Sequence, residues 1–149
     1  MPLHYSYKAK DEARVARAQI HDKDASYKDL SQVCRNINGK EISEAVKLLE
    51  TAKLGKIPIR YEKFNKKCGH RKELGGKRGR YPKKSAKIVL EVLRNAIANA
   101  HHKGLGEKLF VRHASANKQN IYPRIASKGR ANRSDYETAK VEIVLEELK

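Results

Sequence analysis

Apolar positions recur at helical spacing in three stretches of this chain and alternate with polar ones in three others. Leu30, Val33, Cys34 and Ile37 fall at i, i+3, i+4 and i+7, which predicts a first helix. Ser26 followed by Asp29 reads as a capping box with Asp in the Glu position, and Asn38-Gly39 ends the helix. Ile42, Ala45, Val46, Leu49 and Ala52 make one face of a second helix over residues 41–54, stopped by Gly55 and Pro58. A third helix carries Ala86, Val89, Leu90, Leu93, Ile97 and Ala100, with Pro82 suited to its first turn and Gly104 placed as its C-cap.

Strands are predicted at Ala13-Arg14-Val15-Ala16-Arg17-Ala18, at Leu109-Phe110-Val111-Arg112-His113-Ala114, and at Val141-Glu142-Ile143-Val144-Leu145-Glu146, the last richest in β-branched residues. The order is strand, helix, helix, basic loop, helix, strand, basic excursion, strand. This predicts an α+β fold in which three helices cover one face of a small three-stranded antiparallel sheet, the last two strands forming a long hairpin. Residues 1–149 are expected to form one domain, a normal size for such a chain.

Two segments lack the residues to build a core. Residues 55–80 hold Lys56, Arg60, Lys63, Lys66, Lys67, Arg71, Lys72, Lys77, Arg78 and Arg80 against only Glu62 and Glu73. Residues 117–138 hold Lys118, Tyr122, Arg124, Lys128, Arg130 and Arg133. A run of about twenty core-less residues is uncommon inside a compact domain unless something outside the protein orders it. The ordinary fate of a lysine run is a solvated face, but here Tyr61, Phe64 and Tyr81 interleave with the cations, and glycines recur where a backbone could approach another molecule. Aromatics that stack on unpaired bases, beside cations that hold phosphates, are what RNA binding requires.

Charge points the same way. With 34 Lys+Arg against 17 Asp+Glu the formal net charge is +17 and the pI about 10.0, a field that concentrates polyanions. The start has no apolar run of signal-peptide type, and no stretch approaches the roughly 20 apolar residues of a membrane span, so a soluble intracellular protein with no membrane partner is expected.

Other chemistry has thin support. Gly75-Gly76-Lys77-Arg78-Gly79 lacks the Walker pattern, since Arg71 and Arg78 stand where glycine and Ser or Thr are required. His70, His101, His102 and His113 have no nucleophile pattern beside them, and a lone histidine among lysines such as His70 reads as a phosphate contact. Cys34 and Cys68 form no paired zinc motif; Cys34 reads as core and Cys68 as a loop thiol, with no metal or cofactor expected. From the residues alone the chain is an RNA- or DNA-binding domain with two basic extensions.

Several strings together carry a resemblance. Ile57-Pro58-Ile59-Arg60-Tyr61-Glu62-Lys63-Phe64-Asn65, Gly69-His70-Arg71-Lys72-Glu73-Leu74-Gly75-Gly76, Gly79-Arg80-Tyr81-Pro82-Lys83-Lys84-Ser85-Ala86-Lys87, Asn95-Ala96-Ile97-Ala98-Asn99-Ala100 and Lys103-Gly104-Leu105 occur in order. They are followed by Tyr122-Pro123-Arg124, Gly129-Arg130-Ala131 and Val141-Glu142-Ile143-Val144. The chain resembles the universal large-subunit ribosomal protein family twenty-two in its archaeal and eukaryotic-type form, from the first helix to the C-terminus. The short stretch after Glu147 fits the archaeal type.

The resemblance implies a cytoplasmic, ribosome-bound protein without catalytic activity, its partners large-subunit ribosomal RNA, neighbouring large-subunit proteins and the nascent peptide. It also implies that the globular part sits near the tunnel exit and that the hairpin lines the tunnel. The implied RNA contacts are the cations of residues 55–80 with His70, Lys83 and Lys84, and in the hairpin Lys118, Tyr122, Arg124, Lys128, Arg130 and Arg133. Between Pro123 and Gly129 the spacing is longer than the family's usual one. The alternatives are a non-ribosomal RNA-binding module or RNA chaperone, and a phosphotransfer or nuclease enzyme.

Overall fold

The computed structural model describes residues 4–106, 108–125 and 133–148. Its main sheet has the order β1 (Val15–Lys23), β6 (Tyr136–Glu147), β5 (Leu109–Tyr122), antiparallel throughout. Helices α1 (Tyr27–Ile37), α2 (Ile42–Lys53) and α3 (Lys83–His102) lie on one side of it, the α+β arrangement that the pattern of apolar positions predicts. A second sheet of short strands, β2 (Ile59–Arg60), β4 (Lys77–Arg80) and β3 (His70–Arg71), lies between α2 and α3 in sequence.

The core is where the periodicities meet. Ala16 and Ala18 of β1, Val141, Ile143 and Leu145 of β6, and Val111, Ala114 and Ala116 of β5 face Leu30, Val33 and Ile37 of α1 and Val89, Leu93 and Ala96 of α3. Cys34 belongs to this core, and burial pushes its thiol up to about 12, so it stays protonated. Each fully buried Leu or Ile contributes about 2 kcal/mol, and α2 adds Leu49 between small residues, Ala45 and Ala52.

Because β6 is central, Val141–Leu145 are buried without a break. On its second face Glu142 and Val144 are covered as well, for residues 4–7 run across it: the Ser6 hydroxyl and amide donate to Glu142, Tyr7 stacks on His113 at 5.6 Å, and Arg17 lies 5.4 Å from the Tyr5 ring.

Four expectations change. The first strand begins at Val15 after a short 3-10 turn (Glu12–Arg14) and runs on to Lys23, since Ile20 packs on the core while Arg17 and Gln19 alternate outward. The Ser26–Asp29 capping box does not form: Ser26 makes no capping bond, and the Asp29 carboxylate accepts a 2.7 Å hydrogen bond from the Tyr61 hydroxyl. Residues 55–80 are not a core-less loop, because Ile59 and Tyr61 are buried and anchor the small sheet to α1. The hairpin ladder also extends further than expected, to the Tyr122–Tyr136 pair, with an isolated bridge between Ile125 and Arg133 beyond it.

Candidate nucleic-acid interface

The small sheet is a platform for cations. Its strands pair Ile59 with Arg80 and Arg60 with Gly79 on one side of β4, and His70 with Arg78 and Arg71 with Lys77 on the other. Gly75 and Gly76, both at positive φ, turn the chain between β3 and β4, and the ring Nδ1 of His70 lies 2.6 Å from the Gly76 carbonyl oxygen. His70 is therefore a strut of this turn as well as an exposed imidazole.

Gly79 sits where no side chain fits. A Cβ there would stand 2.6 Å from Leu74 Cδ1 and 2.7 Å from the carbonyl oxygen of Ile59. The second neighbour is backbone of the paired strand and cannot move aside without breaking the ladder. Gly79→Val should destabilise the chain by about 1–3 kcal/mol and remove amide-exchange protection over residues 59–80 while α3 keeps its own. Unchanged denaturant midpoint and exchange in the variant would show that the neighbours yield.

The cations expected to contact RNA fall into two groups. Arg71 donates to the Gly79 carbonyl at 3.1 Å and lies over the Tyr81 ring at 5.1 Å, and Arg80 reaches Cys68 Sγ at 3.0 Å and the Lys66 carbonyl oxygen at 3.4 Å. Arg60 pairs with Glu62 at 3.4 Å, and Lys84 with Asp24 at 2.9 Å. Arg60, Arg71 and Arg80 brace the platform, and Lys84 ties the start of α3 to the turn after β1. Lys56, Lys63, Lys66, Lys67, Lys72, Lys77 and Arg78 are exposed, and among the described residues their side chains make no ion pair or hydrogen bond. Lys83 is exposed, its side chain running beside Gly55.

Tyr61 departs from its expected role. Burial, together with its hydrogen bond to Asp29, raises the pKa of its hydroxyl, and the ring is beneath Arg80 rather than open to a base. Phe64 is 43% exposed and remains available, in edge contact with Tyr27 at 5.9 Å.

At the hairpin, Lys118 pairs with Glu137 at 2.6 Å and lies 5.2 Å from the Tyr27 ring, while Arg124 lies 5.1 Å from the Tyr136 ring and Arg133 is 3.6 Å from Asp135. Tyr122 is half exposed beside Tyr136. Lys128 and Arg130 lie outside the described residues. The Asp24 carboxyl is held below its ordinary range by Lys84, with Tyr136 and Arg124 nearby, which brings the start of α3 against the hairpin.

Sequence reasoning kept the two basic segments apart and missed the first turns of α1, which join them. Tyr27 touches Phe64 on one side and Lys118 on the other, and Lys28 lies 5.7 Å from the Phe64 ring. The only sequence signal was an aromatic beside the helix cap.

Among the described residues no His, Cys, Asp and Glu group is placed to hold a metal ion, and no helix is long and apolar enough to cross a membrane. The described residues thus form a strongly basic α+β body with a cationic platform and a two-stranded arm. Comparison with known proteins gives the particular family: over residues 18–146 the chain matches that described as Ribosomal protein L22p/L17e, and it belongs to that family.

It is 41% identical over 148 residues to "Large ribosomal subunit protein uL22" of Archaeoglobus fulgidus, spanning 97% of this chain and 96% of that protein. The protein of the same name from Methanocaldococcus jannaschii is 40% identical over 138 residues, 90% of this chain and 88% of the relative. That of Haloarcula marismortui is 35% identical over 153 residues, 99% and 97% of the two chains. The family is one of structural proteins, and the chain is not an enzyme.

Proposed function

We propose that this chain, a protein of the large ribosomal subunit, binds large-subunit ribosomal RNA through the small-sheet platform, with its globular part near the tunnel exit and its hairpin lining the nascent-peptide tunnel. The observation that carries the RNA reading is the division of labour among the cations. Arg60, Arg71, Arg80 and Lys84 are spent on the protein's own framework, whereas Lys63, Lys66, Lys67, Lys72, Lys77 and Arg78 stand exposed without carboxylate partners among the described residues. Cations left unpaired on a rigid support are neutralised by phosphates at little cost in ordering.

The hairpin reading is supported by reach. The 14 residues of β5 span about 45 Å at roughly 3.3 Å per residue, and residues 120–125 are exposed beyond the last contact with α1. An arm of that length, with Ile121 and Ile125 open at its outer end, suits a passage through RNA better than a free surface.

Two variants separate the roles. Changing Lys63, Lys72, Lys77 and Arg78 to glutamine leaves the framework intact and should reduce incorporation into large subunits about tenfold or more. Replacing residues 123–135 by an Asn-Gly turn, which closes the ladder at the Tyr122–Tyr136 pair, should leave incorporation near normal. Quantitative mass spectrometry of purified subunits reads both, and the reverse pattern would sink this assignment of roles.

A further inference from the structure

A cleft of about 350 Å³ lies between α1 and the outer edge of β5, where Tyr27, Arg35, Phe64, Lys63, Ala116 and Lys118 meet. Strand β5 is an edge strand, and its backbone polar groups alternate between β6 and the outside. At Val111 the outward N–H bonds the Lys40 carbonyl at 2.9 Å. At Ala114 the outward N–H donates to Asn38 Oδ1 at 2.7 Å, and the carbonyl accepts from Asn38 Nδ2 at 3.4 Å.

Two residues further, alternation turns the N–H and C=O of Ala116 outward into the cleft, where nothing among the described residues bonds them. The Asn38 amide shows which chemistry this edge accepts: a planar group with a hydrogen-bond donor beside an acceptor. All four bases carry such an edge, adenine and cytosine as an exocyclic amine next to a ring nitrogen.

The rest of the cleft matches a nucleotide. Tyr27 and Phe64 offer aromatic surface, and Lys63 has no carboxylate partner among the described residues; Arg35 is held by Glu62 and Lys118 by Glu137. Gln32 fixes the backbone that presents Lys63, accepting from the N–H groups of Glu62 at 3.0 Å and Lys63 at 3.2 Å. An added peptide strand fits poorly, because Asn38 occupies the edge before Ala116 and a register shift follows Lys118.

We propose that this cleft takes one unstacked adenine or cytosine of ribosomal RNA, hydrogen-bonded to the Ala116 backbone and flanked by Phe64, with its phosphate toward Lys63. The proposal rests on the ribosomal-RNA reading and adds a base-reading site to it.

The test is dimethyl sulfate probing of protein-free archaeal large-subunit RNA with the full chain, since this reagent modifies the adenine and cytosine ring nitrogens that would be covered. Ser31→Trp fills the cleft from α1. Ala116→Pro removes a donor that lies outside the ladder and puts a ring carbon in its place, at an edge-strand position of the kind where proline occurs. Both should lose protection of the same adenine or cytosine and weaken RNA binding about tenfold. Lys72→Gln with Lys77→Gln should weaken binding while that base stays covered. Circular dichroism confirms folding, and Lys63→Glu, at an exposed position, gives the same readout should Ala116→Pro fail to fold. Parent-like protection and affinity in Ser31→Trp and Lys63→Glu would overturn the site while leaving the RNA reading standing, as would a photo-crosslink from position 31 to a ribosomal protein instead of RNA. Failure of the parent chain to bind the RNA at all would remove both.

Discussion

Between 50 and 200 mM salt, the affinity of the full chain for large-subunit ribosomal RNA should fall about a thousandfold. The size follows from engagement of about six phosphates, each releasing condensed counterions, so that log affinity falls nearly linearly with log salt. On the proposed reading Lys63, Lys66, Lys67, Lys72, Lys77 and Arg78 would supply these contacts, being exposed and free of carboxylate partners among the described residues. Changing Lys72 and Lys77 to glutamine should lower the slope by about two and weaken binding to all RNA sequences alike. Arg71→Ala should behave differently, because its guanidinium ties Gly79 and covers Tyr81, and its loss loosens the platform itself. Filter binding at several salt concentrations checks this. A nearly flat dependence would mean that stacking or protein contacts dominate and that the exposed lysines are only a solvated face.

The helices and the central strand were legible because each buries a continuous face. Leu30, Val33, Cys34 and Ile37 recur at helical spacing since α1 lies on the sheet, and Val141–Leu145 read as an apolar run since β6 is covered on both faces. The outer half of the hairpin was not legible for the opposite reason. From Asn117 the strand runs along the rim of the body, Lys118 against Tyr27 and Gln119 and Asn120 bonded to Asp22, with Asn117 and Lys118 both exposed on opposite faces, so no apolar alternation arises.

The small sheet escaped because its core is only Ile59 and Tyr61, two side chains lost among cations, and because its tightest packing is at a glycine. The basic character of the interface could be read directly from the residues 55–80. Which cations are free and which brace the fold could not, since Arg71 and Arg80 differ from Arg78 only in what lies beside them in space.

Glu142→Ala should destabilise the chain by about 2–4 kcal/mol and free the N-terminal segment from the sheet. Glu142 is 1% exposed, and its carboxylate gathers the Ser6 amide at 3.2 Å, the Ser6 hydroxyl, the Ser115 hydroxyl at 3.0 Å and the Lys140 ammonium at 3.4 Å, with His113 3.4 Å away. Hydrogen bonds to a charged group contribute about 1.5–3 kcal/mol each when one partner is removed, and Lys140 would lose its counter-charge. Burial alone would raise the Glu142 pKa, but the Ser6 and Ser115 donors and Lys140 outweigh it and hold the pKa below the ordinary value. A depressed folded-state pKa stabilises the fold at pH values above the unfolded one, about 4.3, and that contribution is lost as pH falls through the lower, folded value. Urea titrations from pH 7 down to 3 should therefore show the parent losing more stability than Glu142→Ala over the acid range, the two curves converging there. Amide exchange at residues 5–8 should accelerate in the variant at pH 7. Parallel acid profiles, or an N-terminal segment equally protected without the carboxylate, would show that Tyr5 and Tyr7 hold it by packing alone.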